Sequence, residues 1–160
     1  MASLFFVGCN NDGPDCPEAL TGELGTSETV LVGDWNFVGM VAEDAVDLTD
    51  DDQDNPSTDI FAQLDACDKD LVYTFDNDRS YTFTQGYVAT DCTNKVQFEG
   101  TWKLTGSNLA FVANCTTNAI DIAFNEDQST FSFEQTYKFL DMDGHTVTTK
   151  VTFTYGKTAS

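Results

Sequence analysis

The chain has 160 residues, 41% of them hydrophobic, and 27 acidic against seven basic residues give a formal net charge of −20 at pH 7. That length suits one domain with a sizeable core plus a tail, and the charge repels phosphate backbones and anionic headgroups, which excludes nucleic acid as a partner. It suits a soluble surface, a cation or a basic protein partner.

The first notable segment is Leu4-Phe5-Phe6-Val7-Gly8-Cys9, a short apolar run ending in a small residue before cysteine. It resembles the tail of a bacterial lipoprotein signal peptide, in which that cysteine is lipidated. Residues 1–9 are therefore read as the remnant of such a signal, with Cys9 as the lipidation site. Residues 10–29 are polar, rich in Gly, Pro and Glu and without a sustained period, and read as a flexible tether. No stretch approaches transmembrane length, so the expected membrane attachment is through lipid only.

Residues 30–156 carry the domain. The first strand runs from Val30 to Ala42 through Gly33-Asp34-Trp35, and its alternation puts Trp35 and Phe37 on one inner face. The run Glu43 to Asp54 is too charged to pack and reads as a long loop. Capping residues then precede Ile60, Phe61 and Leu64, which predicts one short amphipathic helix.

From Leu71 onward, apolar residues recur with period two between turn signals. Leu71, Tyr73 and Phe75 share a face, and Tyr81, Phe83, Gln85 and Tyr87 return from the turn at Asp76-Asn77-Asp78. Val96, Phe98, Gly100, Trp102 and Leu104 form the next strand, and Leu109 with Phe111 the one after. Ile120, Ile122 and Phe124 follow, then Phe131, Phe133, Gln135, Tyr137 and Phe139. After Asp141-Met142-Asp143-Gly144 come Val147, Thr149, Val151, Phe153 and Tyr155. That makes eight strands joined by hairpins without crossover helices, an all-β arrangement that most economically closes into an up-and-down antiparallel barrel. An open or sandwiched sheet is the competing architecture.

Gly33-Asp34-Trp35 resembles the Gly-x-Trp motif of lipocalins. Taken with Cys67-Asp68-Lys69-Asp70 leading into Tyr73-Thr74-Phe75, with Cys92, and with Gly100-Thr101-Trp102-Lys103-Leu104, the pattern is similar to the lipocalin-like domain of Bacteroidota lipoproteins. The resemblance covers about residues 30–156. Lipocalins also place an Arg on the last strand over the Trp, and this chain has Lys150 and Lys157 near that place. The resemblance implies an exported, cell-envelope protein, an outer-membrane lipoprotein with a small ligand in its barrel.

The barrel topology puts the start of the first strand and the turns at Asn77, Gly106 and Asn125 at one closed end. The acidic loop, the helix, and the loops at Thr90 to Lys95, Asn114 to Asn118 and Asp141 to His145 form the mouth. Cys67 and Cys92 lie at the same end of one hairpin, within reach of a disulfide, and the resemblance pairs them too. Cys115 is left for Cys16 or stays free.

Asp50, Asp52 and Asp54, and separately Asp141 and Asp143, present hard oxygens that suit Ca²⁺, yet the pattern lacks the Gly and closing Glu of an EF-hand loop. A solvated loop and a hairpin turn are the competing readings. His145, the single histidine, follows a turn and has no nucleophile in a recognisable context, so no enzyme and no cofactor are expected. Inward-facing residues that would line a barrel site are Trp35, Phe37, Tyr73, Phe75, Tyr81, Phe83, Gln85, Phe98, Trp102, Phe111, Phe131, Phe133, Gln135 and Tyr137. Gly39, Gly86 and Gly100 would leave room among them. An eight-stranded barrel is just wide enough to be filled by its own side chains or to hold one small ligand. The expected function is binding of a small, mostly apolar ligand. The alternative is a filled-core barrel whose acidic mouth meets a basic partner.

Overall fold

The alternation of aromatic and polar side chains folds as antiparallel strands, with the aromatic face turned inward. The structure, a computed structural model, describes residues 15–159; Cys9 and its apolar run lie outside them. The strands are β1 (Gly33–Val46), β2 (Ser57–Asp59), β3 (Leu71–Phe75), β4 (Ser80–Gln85), β5 (Val96–Thr105), β6 (Asn108–Ala113), β7 (Thr116–Asp121), β8 (Ala123–Phe124), β9 (Thr130–Leu140) and β10 (Thr146–Lys157). They form one sheet in the order β7-β6-β5-β4-β3-β1-β10-β9-β8, with β2 on β1, and it curls into a nearly closed barrel. The strand count is a correction: nine strands lie along this path rather than eight.

The extra strand comes from a break at Ile122. Its N–H donates to the Ser107 carbonyl (2.8 Å) and its side chain is buried. The residues before it, β7, pair with β6, while the two after it, β8, pair with β9 at Ala123–Ser132 and Phe124–Phe131. One length of chain thus bridges the two sides of the barrel at its closed end and leaves β7 and β9 unpaired with each other toward the mouth. β2 occupies residues expected only to cap a helix, and the single expected helix is two four-residue turns, α1 (Ile60–Gln63) and α2 (Ala66–Lys69). Asp59 caps α1 through the Ala62 N–H, and Asp65 caps α2 through the N–H groups of Cys67 and Asp68.

Residues 15–29, expected as part of a flexible tether, are instead fastened to the barrel. Cys16 is disulfide-bonded to Cys115, and the Leu20 N–H donates to Thr101 Oγ1 (2.8 Å). The third fastening is a buried ion pair. Glu28 Oε1 and Oε2 accept from Arg79 Nη1 (2.8 Å) and Nη2 (2.9 Å), and also from the N–H groups of Leu104 (3.1 Å) and Gly25 (2.7 Å). The Arg79 guanidinium further donates to the carbonyls of Gly22, Glu23 and Trp102, so both charges are enclosed by partners. The Arg79 hydrogen bonds, helped by the two backbone N–H groups, hold the Glu28 carboxyl at about 2, well below its ordinary 4.5.

Just beyond this pair, a single 3-10 turn (Thr29–Leu31) closes the barrel end. Leu31 and Trp35 are fully buried, and Trp35 Nε1 donates to the Leu31 carbonyl (2.7 Å). Lys157, on the last strand, donates to the Val30 carbonyl and sits 5.4 Å from the centre of the Trp35 ring. Of the two lysines noted above, it is Lys157 that covers the tryptophan; Lys150 faces outward to Glu43 (2.9 Å).

A bulge between Phe37 and Gly39 resets the alternation of β1, so that Met40 and Ala42 are buried and Gly39 is paired with Thr154. Gly39 therefore makes no room in the barrel, contrary to expectation. Gly100 leaves no open space either, because its neighbours close in on it: a Cβ there would come within 2.2 Å of the Val112 carbonyl oxygen, 2.8 Å of Ala113 Cβ and 3.0 Å of the Tyr81 ring.

Gly100→Ala is expected to cost about 1–3 kcal/mol by overpacking against backbone, whereas Gly39→Ala, whose Cβ meets Thr154 at an ordinary 3.5 Å, is expected to stay within about 0.5 kcal/mol of the parent; urea unfolding reads both. Glu28→Ala leaves a guanidinium buried and unpaired, at an expected cost of about 3–5 kcal/mol. Because the folded-state pKa of Glu28 is depressed, the parent's stability from this pair is full above pH 4.5 and falls as pH drops from there toward about 2, a dependence the variant lacks.

Candidate functional site

The closed half of the barrel is filled by its own rings. Trp35, Phe75, Trp102 and Phe131 are fully buried, with Trp35 against Phe131 (5.0 Å between centroids) and Phe75 against Trp102 (5.3 Å). Phe37 packs edge-on against Phe61 of α1 (5.2 Å) and beside Tyr155 (5.4 Å). These five, expected as lining residues, are core and face no cavity. A tryptophan or two at one level of so narrow a barrel leave no room beside them.

Above this layer the two sides of the mouth differ. Over β1 and β10 the acidic loop and α1 form a lid: Gln63 accepts from the Leu48 N–H (2.8 Å) and donates to the Val46 carbonyl (3.0 Å), while Ile60 and Val46 are buried beneath. Over β4 to β7 no described residue forms such a lid, and a cavity of about 560 Å³ opens there. Tyr73, Tyr81, Phe83, Phe98, Phe111, Phe133 and Gln135 line it, which are seven of the expected residues. Gln85 lies instead near Asp68 (3.5 Å), and Tyr137 is half exposed against Phe139 (5.0 Å).

The remaining wall of the cavity was not anticipated. It includes Ala113, Asn114, Thr116, Asn118 and Ile120 from β6, β7 and the turn between them. The Asn114-Cys115 pair, both at positive φ (50° and 58°), makes a two-residue hairpin that starts β7 at Thr116, in a stretch read as loop because its residues are polar. The available signal was the tight turn itself, since Asn at its first position suits left-handed backbone. Ala119, Ile120, Phe133 and Gln135 also border a separate groove along the seam between β7 and β9.

Among the described residues no charged side chain lines this cavity. Its polar groups are the amides of Asn114, Asn118 and Gln135, the Thr116 hydroxyl, and the phenols of Tyr73 and Tyr81. Burial, reinforced by the neighbouring Tyr81, pushes Tyr73 up to about 12, and burial also raises Tyr81, so both stay neutral donors at physiological pH. Tyr81 is only 7% exposed, yet no described residue hydrogen-bonds its hydroxyl and no polar side-chain atom among them is left both sealed and unpaired. Its hydroxyl therefore reaches the cavity.

The rim is braced by side chains rather than by strand pairing. Cys67 is disulfide-bonded to Cys92, tying α2 to the loop after β4, and Asp70 Oδ2 accepts from the N–H groups of Val88 (2.7 Å) and Ala89 (2.8 Å).

A second, acidic cleft of about 490 Å³ brings Asp50, Asp52 and Asp54 opposite Asp141 and Asp143. Asp47 organises it by accepting from the N–H groups of Asn55 and Thr49 and from the Thr49 hydroxyl, bonds that hold its carboxyl below the ordinary range. The Met142 N–H donates to the Asp47 carbonyl (3.1 Å), joining the two acidic segments. Among the described residues no three acidic, histidine or cysteine side chains come together closely enough to hold a metal ion. His145 is exposed on the β9–β10 turn, 3.5 Å from Asp141 Oδ2.

The fold and cavity define an all-β barrel sealed at one end with a neutral, aromatic pocket at the other. The chain belongs to a family described as a domain of unknown function, DUF5004, which matches it over residues 10–158. No curated protein matches it.

Proposed function

We propose that this protein binds a small, largely apolar ligand in the barrel pocket, and that lipid on Cys9 anchors it in the cell envelope as an exported outer-membrane lipoprotein. The observation that carries the reading is the cavity of about 560 Å³, whose size falls in the range of small-molecule sites and whose wall is aromatic with a few neutral polar groups. The similarity of Gly33-Asp34-Trp35 and its companion motifs to the lipocalin-like domain of Bacteroidota lipoproteins supports the same role. The role is one of binding, without a cofactor and without catalysis. A filled-core barrel acting only through its acidic mouth is the weaker reading, because the aromatic packing stops at the level of Tyr73 and Phe111.

The test is a fluorescence titration of the full chain with an uncharged, environment-sensitive apolar probe. Saturable one-to-one binding is expected, displaced by unlabelled apolar compounds. Asn118→Trp, an exposed position on the cavity wall, should reduce affinity by about tenfold or more, roughly 1.4 kcal/mol, with the melting temperature unchanged. Absence of saturable binding by the folded protein, or binding indifferent to Asn118→Trp, contradicts the reading.

A further inference from the structure

Resting on the pocket reading above, we propose that the pocket selects an organic cation, a ligand carrying an alkylated ammonium group seated among the rings of Tyr73, Tyr81, Phe83, Phe98 and Phe111. Aromatic faces attract cations through the ring quadrupole, and do so most strongly where water is excluded. The rings of this pocket form a connected surface: Tyr73 lies 4.8 Å from Phe83 and 5.9 Å from Phe111, Tyr81 lies 4.8 Å from Phe111, and Phe83 lies 6.1 Å from Phe98. Phe98 is 44% exposed, so this surface reaches the opening.

Elsewhere the chain already sets its own cations on rings. Lys69 sits over Phe61, Arg79 over Trp102, Lys95 over Tyr87 and Lys157 over Trp35, which uses four of the seven basic residues. None of the basic residues lines the pocket. Its rings are an aromatic surface of the same kind left for a cation from outside.

Charge sets the sign of the preference. An anionic amphiphile would enter a pocket with no cationic side chain on a protein of net charge −20. An ammonium headgroup meets the opposite field and is steered toward the mouth. Among the described residues no carboxylate lines the pocket either, so recognition inside it falls to the rings and to neutral oxygens. The Tyr81 hydroxyl, buried and unbonded by described residues, supplies one such oxygen. A quaternary or tertiary ammonium, weakly hydrated and carrying its own methyl groups, fits this wall better than a primary ammonium, which would leave its N–H donors short of acceptors.

The experiment is competition against the uncharged fluorescent probe by three molecules of one shape: choline, its neutral isostere with carbon in place of nitrogen (neohexyl alcohol), and the tert-butylacetate anion. Choline is expected to bind about tenfold or more tightly than the alcohol, as a desolvated cation–ring contact provides, and the anion least of all. Phe98→Leu and Phe83→Leu should each weaken choline several-fold more than they weaken the alcohol, so that the ratio of the two affinities falls toward one, a change in ratio that a purely structural role would not produce. A triple variant, Asp50→Asn, Asp52→Asn and Asp54→Asn, should keep the preference. Equal binding of choline and the alcohol overturns the cation inference and leaves the apolar-ligand reading standing. A preference that survives both Phe variants but vanishes in the triple variant or at high salt assigns the effect to the acidic surface and overturns it too. Failure of the probe itself to bind the folded protein overturns both readings together.

Discussion

The Glu28–Arg79 pair is the constraint on which the rest of this structure depends. The only arginine of the sequence sits in a tight turn at positive φ (71°), a conformation that side chains with a Cβ adopt reluctantly. Its guanidinium is held by a bidentate carboxylate and three backbone carbonyls, which outweighs that local cost. One group of bonds thereby joins the incoming segment, the β3–β4 turn and β5. The 3-10 turn that follows is placed under Trp35 as a consequence, and Lys157 closes over the same ring from the last strand. Breaking the pair would loosen the seal at its source, since few other polar contacts hold residues 20–28 to the barrel.

Sealing one end decides what the other can be. With the lower rings committed to core, the upper half could have been filled as well, and on the β1–β10 side it is, by the lid of α1 and the acidic loop. On the β4–β7 side small and neutral residues, Ala113, Thr116, Asn118 and Ala119, stand where bulky ones would have completed the packing. The break at Ile122 adds to the asymmetry. It lets β8 pair with β9 low down while β7 and β9 run unpaired above it, and a separate groove follows that seam. Two strong constraints at the base thus produce a permissive region at the top, where stability depends least on any one side chain.

Much of this was legible in the sequence because period-two alternation reports burial directly. Phe83 and Phe98, or Tyr73 and Phe111, could be placed on the inner face without knowing their partners. Which of the inward rings are core and which are wall was not legible, since that depends on height in the barrel and on what the lid covers. Glu28 and Arg79 gave no local signal: they are 51 residues apart, and one glutamate among 27 acidic residues looks like any other. The bulge beside Gly39 and the break at Ile122 were hidden for a different reason. Each is a one-residue interruption in a pattern that otherwise reads as continuous, fixed by tertiary hydrogen bonds such as Ile122 to Ser107. Polar Thr116 and Asn118 read as loop because strand propensity is a weak guide at a half-wet site.

The central claim is that an open, neutral pocket lies above a sealed base. It is tested most directly by following methyl resonances of the full chain in solution as an uncharged apolar probe is added. The account predicts saturable shifts for the methyls of Ala113, Ala119 and Ile120 on the cavity wall, with those of Leu31, Ile60 and Val151 in the packed regions unmoved. Shifts concentrated at Leu31 and Val151, or spread evenly with no saturation, would contradict it.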